Sequence, residues 1–286
     1  MMQRKSRLLV IQYLRIILKF LQKFRLVRIM SWELNRVQFE NFLAVHHEAF
    51  SINICTPNEM TLNRAKSFST KEPDTLSWIL KFPGNAIFWD VGANIGLYSL
   101  WAAISRKVRV FSFEPVASNL EMLKQNIWLN QLENLITVIP LPLSNSTGVQ
   151  KLHLPSFEYG VSQVAFGVNH DFEGKDILSK ISLQTIGITW QQACEYFKIP
   201  NPTHIKIDVD GIEHLVLEGS NGYIESVQEV LVEVNNNFAD QRHRVNTLLS
   251  EAGFYLFKED KSLPDADLAH SETRNQIWLN HRATNG

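Results

Sequence analysis

The sequence has only two cysteines, Cys55 and Cys194, and they stand far apart. They match no ligand spacing, so neither a disulfide scaffold nor a cysteine zinc site is expected, and a reducing cytoplasm is the natural setting. An excess of one charge is also missing. The 286 residues carry 28 Lys and Arg against 29 Asp and Glu, a formal −1. A nucleic-acid partner would call for a strong basic excess and is therefore not expected. No apolar run reaches the roughly 18 residues of a membrane span. Internal repeats and low-complexity tracts are absent. What is present is 45% hydrophobic residues, enough for one sizeable α/β core plus an extension.

The near-zero charge hides an asymmetry. Residues 1–32 hold eight Lys or Arg and no acid. Between them, Leu8, Ile11, Leu14, Ile17, Leu18 and Leu21 recur at spacings of three and four, as in a basic amphipathic helix. Arg15 and Lys19 interrupt the apolar stretch and no small-residue cleavage site follows, unlike a signal peptide. Three readings stay open: a helix packed on the core, a peripheral helix on anionic lipid at the inner face of the membrane, and a disordered leader. Residues 33–75 read as an extension packing on the core, with a short strand at Ile52–Thr56 and a polar loop at Lys66–Asp74.

Residues 76–286 read as the main domain. Strands are expected at Ala86–Asp90, Val108–Phe113, Leu135–Leu141, Thr203–Asp208 and Glu229–Val234, with helices between them. Pro115 suits the first turn of one helix. Such alternation argues for a mostly parallel sheet covered on both faces. Two late strands, Phe254–Lys258 and Gln276–Asn280, follow the last helix without another between them, which permits an antiparallel edge. Residues 145–202 exceed a simple crossover. They hold a β-rich piece (Val149–Leu154, Val161–Val168) and a helix near Trp190–Phe197.

In an open parallel sheet, ligands bind beyond the carboxyl ends of the central strands. Asp90, Glu114 and Asp208 stand at such ends. The first strand runs into Gly92-Ala-Asn94-Ile-Gly96, and glycine allows a tight turn and close approach of a ligand. A dinucleotide fingerprint would need Gly at 94 and Gly or Ala at 97, where the chain has Asn94 and Leu97. A ligand without a pyrophosphate fits better, and a nicotinamide-dependent oxidoreductase becomes the second reading. Glu114 follows Gly92 by 22 residues. An acid there can accept hydrogen bonds from both ribose hydroxyls, or it can simply support the next helix dipole.

Three blocks, FWDVGANIGLYSL, VFSFEPVASNLEMLKQNIWLN and HIKIDVDGIEHLVLEGS, together resemble the FkbM-type methyltransferases over roughly Ala86–Val234. The resemblance implies a class I (Rossmann-like) methyltransferase fold: a seven-stranded, mostly parallel sheet with helices on both faces and an antiparallel edge strand. It also implies S-adenosylmethionine as donor and a hydroxyl as acceptor, on a sugar, glycan, glycolipid or secondary metabolite. By motif, Asp90, Gly92, Asn94 and Gly96 would line the methionine end of the donor. Glu114 would hold the ribose, and Leu143, Ser144 and Asn145 would lie near the adenine. One departure stands out. The acidic step usual before the fourth strand is replaced by Thr185-Ile-Gly-Ile-Thr-Trp190, which points to a different acceptor.

The third block admits several roles. Lys206 and Asp208 point the same way on one strand face, and Asp208 is the first candidate for a base toward the acceptor. His214 and His243 are rivals for that role, and either can be an ordinary packed or surface histidine. Asp210 and Glu213 match a capping box. Asp208 and Asp210, with Glu213 nearby, also leave a divalent cation open, although no metal is the favoured reading. Glu233 is an odd acid in an apolar strand and wants a partner, with Lys206 one option. Residues Ser156–Asp176 read as an acceptor lid, in which Tyr159 and Phe166 either stack on a sugar or pack on the domain. A methyltransferase-like scaffold without catalysis is the third reading.

Overall fold

The computed structural model describes residues 41–177, 179, 181–260 and 272–281, together with scattered residues between 13 and 33. Most of the expected basic N-terminal helix lies outside the described residues. Among the described residues no helix is long and apolar enough to cross a membrane.

A hairpin of β1 (Phe42–His47) and β2 (Phe50–Cys55) comes first, in antiparallel register from Phe42↔Cys55 to His47↔Phe50. Two helices follow, α1 (Glu59–Lys71) and α2 (Pro73–Ile79). The polar loop expected at Lys66–Asp74 is therefore helix. Asn58 starts α1 through a reciprocal capping box with Thr61, and Pro73 opens α2. The hidden signal is a narrow buried stripe, Thr61, Ala65 and Phe68, in an otherwise polar helix. Asn126 ties the hairpin to the core. Its carboxamide accepts from Cys55 N and donates to Ile95 O.

The main domain then alternates as expected: β3 (Ile87–Val91), α3 (Leu97–Arg106), β4 (Arg109–Phe113), α4 (Ala117–Leu129) and β5 (Ile136–Ile139). Pro115 lies just before α4, whose cap is Val116. Next come β6 (Gly148–Leu154), β7 (Ala165–Phe166) and β8 (Ile181–Gly187), which form a separate antiparallel sheet in the order β7-β6-β8. The last part holds α5 (Trp190–Glu195), β9 (His204–Ile207), α6 (Glu213–Glu218), β10 (Glu229–Asn235), α7 (Ala239–Glu251), β11 (Phe254–Glu259) and β12 (Thr273–Asn280).

The seven-stranded sheet runs β11-β12-β10-β9-β3-β4-β5. The five strands from β10 to β5 are parallel. β12 runs antiparallel to both β10 and β11, so the edge pair is antiparallel. This is the class I methyltransferase arrangement. Strand alternation sends Phe88 into one core with Phe68, Trp101 and Leu123, and Trp89 into the other with Phe113, Trp190 and Val216. The strand order reverses between β3 and β9. That switch point opens a crevice at their carboxyl ends, flanked by the Gly92–Gly96 loop and by Asp208.

Candidate active site

The glycine loop is shaped by what its neighbours leave free. Gly92 has φ +86°, and a Cβ there would lie 1.8 Å from the Asp208 carbonyl oxygen. Gly96 has φ +89°, and its Cβ would meet Leu123 Cδ1 at 2.4 Å. Asn94 also takes a left-handed φ of 53°, which Asn tolerates better than most residues. The loop's N–H groups are spent internally. Gly92 N and Ala93 N donate to Phe113 O, and Gly96 N donates to Ala93 O. Asn94 N donates to Glu114 Oε2 at 2.8 Å, and Ile95 N faces Asn94 Oδ1 at 3.0 Å. Each N–H between 92 and 96 thus has a partner within the protein.

Glu114 sits at the end of β4 and lines an open cleft. Its Oε1 accepts from Val116 N at 2.8 Å, so it supports the start of α4 as well as facing the cleft. Burial pushes its carboxyl up to about 7, against the pull of the Val116, Asn94 and Asn119 donors.

Asp90 is not at the cleft surface. It is buried beneath the loop, where Oδ2 accepts from Ser99 Oγ at 2.5 Å and Ser99 in turn meets Ser112 at 2.7 Å. Ser144 is buried and its N–H donates to Ile188 O. Asn145 is turned to Glu218 at 3.1 Å. Neither lines the cleft; their neighbours Pro142 and Leu143 do.

Across the switch point, Lys206 Nζ lies 2.5 Å from Asp208 Oδ2 and 4.7 Å from the Tyr98 ring centre. Burial pulls the ammonium down, but Asp208, Glu72 and Asp90 outweigh it and hold Lys206 above its ordinary value. Burial raises Asp208, but the Lys206 cation wins and holds it below the usual carboxylate range. Glu233 does not pair with Lys206. The β9–β10 register sets Ile207 beside Val232, so Asp208 and Glu233 follow as neighbours, and both line the large cleft. Burial and the Asp208 charge drive Glu233 well above its ordinary value. Glu233 in turn helps to hold Asp208 low.

The capping box expected of Asp210 and Glu213 does not form. α6 is capped at Ile212 without a side chain, and Asp210 has a left-handed φ of 57°. Asp210 instead accepts from Val164 N. Burial and Asp208 push it up to about 6. Glu213 does reach back to the backbone, accepting from Val209 N and Gly211 N. Among the described residues no group of three His, Cys, Asp or Glu side chains is placed to hold a metal ion. His214 is half-buried with Nδ1 unpartnered, and His243 is exposed. Neither lines this cleft or the smaller one beside it.

The segment expected to be a lid contributes Val161, Ser162, Val164 and Phe166 to the large cleft. It is fastened to the glycine loop and to α4: Asn94 and Asn119 both donate to Val161 O, at 2.7 and 3.0 Å. Phe166 is buried against Gly187, and Tyr159 packs on the core. Two site residues escaped the sequence reading. Arg64 and Lys71, both on α1, line both clefts. Reading 66–74 as a loop concealed the seven-residue spacing that sets them on one helix face.

The fold places these acids around one cleft at a switch point of the sheet. The model of the FkbM methyltransferase domain matches residues 90–256, and the chain belongs to that methyltransferase family. It is similar to the hexuronic acid methyltransferase AglP of Haloferax volcanii, 32% identical over 168 residues. That match spans 58% of this chain and 62% of AglP, less than two thirds of its length. It is also similar to the methyltransferase sdnD of Sordaria araneosa, 26% identical over 63% of this chain and 78% of that protein. Among solved structures, similar chains include TYW2 of P. horikoshii in complex with MeSAdo (11% identity, TM-score 0.45, 83% of this chain and 69% of that one). Another is the precorrin-6y C5,15-methyltransferase of Geobacter metallireducens (11% identity, TM-score 0.42, 73% and 86%).

Proposed function

We propose that the chain is an S-adenosylmethionine-dependent O-methyltransferase acting on a hydroxyl of a sugar, glycan, glycolipid or secondary metabolite. The observation that carries this reading is that Glu114 and Asp208 line one cleft with Gly92 and Asn94 of the glycine loop. A sulfonium donor brings positive charge and a ribose but no phosphate. Carboxylates attract the first and accept hydrogen bonds from the second. AglP, named for a hexuronic acid, favours a sugar as acceptor.

In this reading the donor supplies an electrophilic methyl group for in-line displacement. The protein's task is orientation, which is worth roughly 7–11 kcal/mol for well-placed reactants. Asp208 accepts the hydroxyl proton of the acceptor. Its depressed pKa is no obstacle, because the hydroxyl becomes a strong acid as its oxygen takes the methyl group. Lys206 holds Asp208 charged and oriented, and is a positioning residue. His214 has no part in it, being outside the cleft. Residues 1–32 add, in the same proposal, a peripheral contact with anionic lipid at the inner membrane face. Exposed Tyr13, Ile16 and Phe20 stand among the bases there.

One experiment tests both parts. The protein is mixed with methyl-labelled S-adenosylmethionine, anionic vesicles and a glycolipid and saccharide extract, then centrifuged. Label is expected in a saccharide-containing product, and the protein is expected in the pellet. A protein that binds the donor but labels nothing would favour the non-catalytic scaffold. A protein that stays in the supernatant would remove the lipid contact alone.

A further inference from the structure

We infer that Arg64 and Lys71 form a carboxylate-recognition site for the acceptor, so that the acceptor is an acidic sugar of the uronic acid kind. The inference rests on the methyl-transfer reading and adds the acceptor's chemical class to it.

The larger cleft is lined by four acids, Glu114, Asp208, Asp210 and Glu233. Its two lining cations are Arg64 and Lys71. Both come from α1, outside the strands that carry the acids. Arg64, Ser67, Phe68 and Lys71 follow the i, i+3, i+4, i+7 pattern of one helix face, and all four line the smaller cleft. Phe68 is buried in the core and anchors this face, so the two cations flank a fixed point.

Neither cation is consumed by a close ion pair. Among the described residues, no carboxylate lies within 4 Å of Arg64, and Lys71 has only a long contact, 3.7 Å to Glu72. Arg64 donates through Nε to Gly160 O at 2.9 Å. That bond fixes the stem of the guanidinium to the lid segment and leaves its terminal NH₂ groups as further donors. A planar guanidinium with donors to spare suits a carboxylate, whose two oxygens match its fork.

Arg64 and Lys71 offer an anionic group a counter-charge that the acids of the cleft do not. A neutral sugar could be held by the acids alone, as hydroxyl donors to carboxylates. An anionic sugar would be repelled by those acids unless cations stood over them. Lys71 lies close enough to Asp208 and Glu233 to lower both, and Arg64 lowers Asp210. The cations thus stand beside these acids.

The donor also carries a carboxylate, and the test separates the two sources. Wild type, Arg64→Gln, Lys71→Gln and the double variant are first compared by thermal unfolding. Calorimetry then measures binding of S-adenosylhomocysteine. With that product saturating, calorimetry measures binding of oligogalacturonate and of neutral malto-oligosaccharide. Wild type is expected to bind the uronate more tightly than the neutral sugar. The folded variants are expected to lose about tenfold or more in uronate affinity, with donor-product affinity within about threefold. Three results would overturn the inference: loss of donor-product binding in the variants instead, equal affinity for both sugars, or no uronate binding by wild type. Failure of wild type to bind S-adenosylhomocysteine would instead sink the methyl-transfer reading.

Discussion

Replacing Asp208 with asparagine is expected to lower kcat by about 10²–10⁴-fold, the usual worth of a positioned base. The KM for the donor should stay within about threefold. Asparagine keeps the shape of the side chain but cannot take a proton. Its amide also cannot neutralise Lys206, which is buried and 2.5 Å away. Asp90, 1% exposed, and Glu72, 7% exposed, remain near that cation, so the fold should tolerate the change. Steady-state kinetics with labelled donor, beside a thermal melt, reads this directly. A kcat close to wild type would remove Asp208 from the proton transfer and turn attention to its neighbour Glu233.

The second large effect is at Gly92. An alanine Cβ would lie 1.8 Å from the Asp208 carbonyl oxygen, on a backbone with φ +86°. The clashing atom is backbone, so β3 and β9 must move apart at the switch point. We expect Gly92→Ala to cost at least about 2 kcal/mol of stability and to abolish donor binding. Gly84→Ala is the control, since nothing lies within 4 Å of its would-be Cβ. It should change stability by no more than about 0.5 kcal/mol. Melting curves and donor calorimetry on the two variants check the pair. A Gly92→Ala protein that melts and binds like wild type would mean that the loop is not the cradle described.

The parts of the site that could be read from sequence share one property. Each is a short apolar strand ending in an acid or a glycine turn, and the strands carry their own signal. Asp90, Glu114 and Asp208 were found in this way. Sequence did not separate an acid that lines the cleft from one beneath it, and Asp90 proved to be the second kind. Of the residues expected near the adenine, Leu143 lines the cleft while Ser144 and Asn145 do not, because a strand end fixes a neighbourhood rather than a contact.

The unread parts depend on tertiary packing. α1 buries only Thr61, Ala65 and Phe68, too thin a stripe to outweigh its polar residues. Its two cations reach the site only because that stripe docks on the core. β8 was missed because Leu183 and Ile186 are both exposed and break a two-residue alternation. Asp210 looked like a helix cap because the spacing to Glu213 is right. The left-handed backbone at Asp210 delays the helix start, and the carboxylate goes to the lid instead. Glu233 seemed to need Lys206, but Asp208, two residues along the same strand face, takes that cation first.

The most direct test of the account is titration calorimetry of the full chain with S-adenosylmethionine and, separately, with NAD. A dissociation constant below about 1 mM is expected for S-adenosylmethionine, with no measurable heat from NAD at the same concentration. Binding of NAD without binding of S-adenosylmethionine, or no binding of S-adenosylmethionine at millimolar concentration, would contradict it.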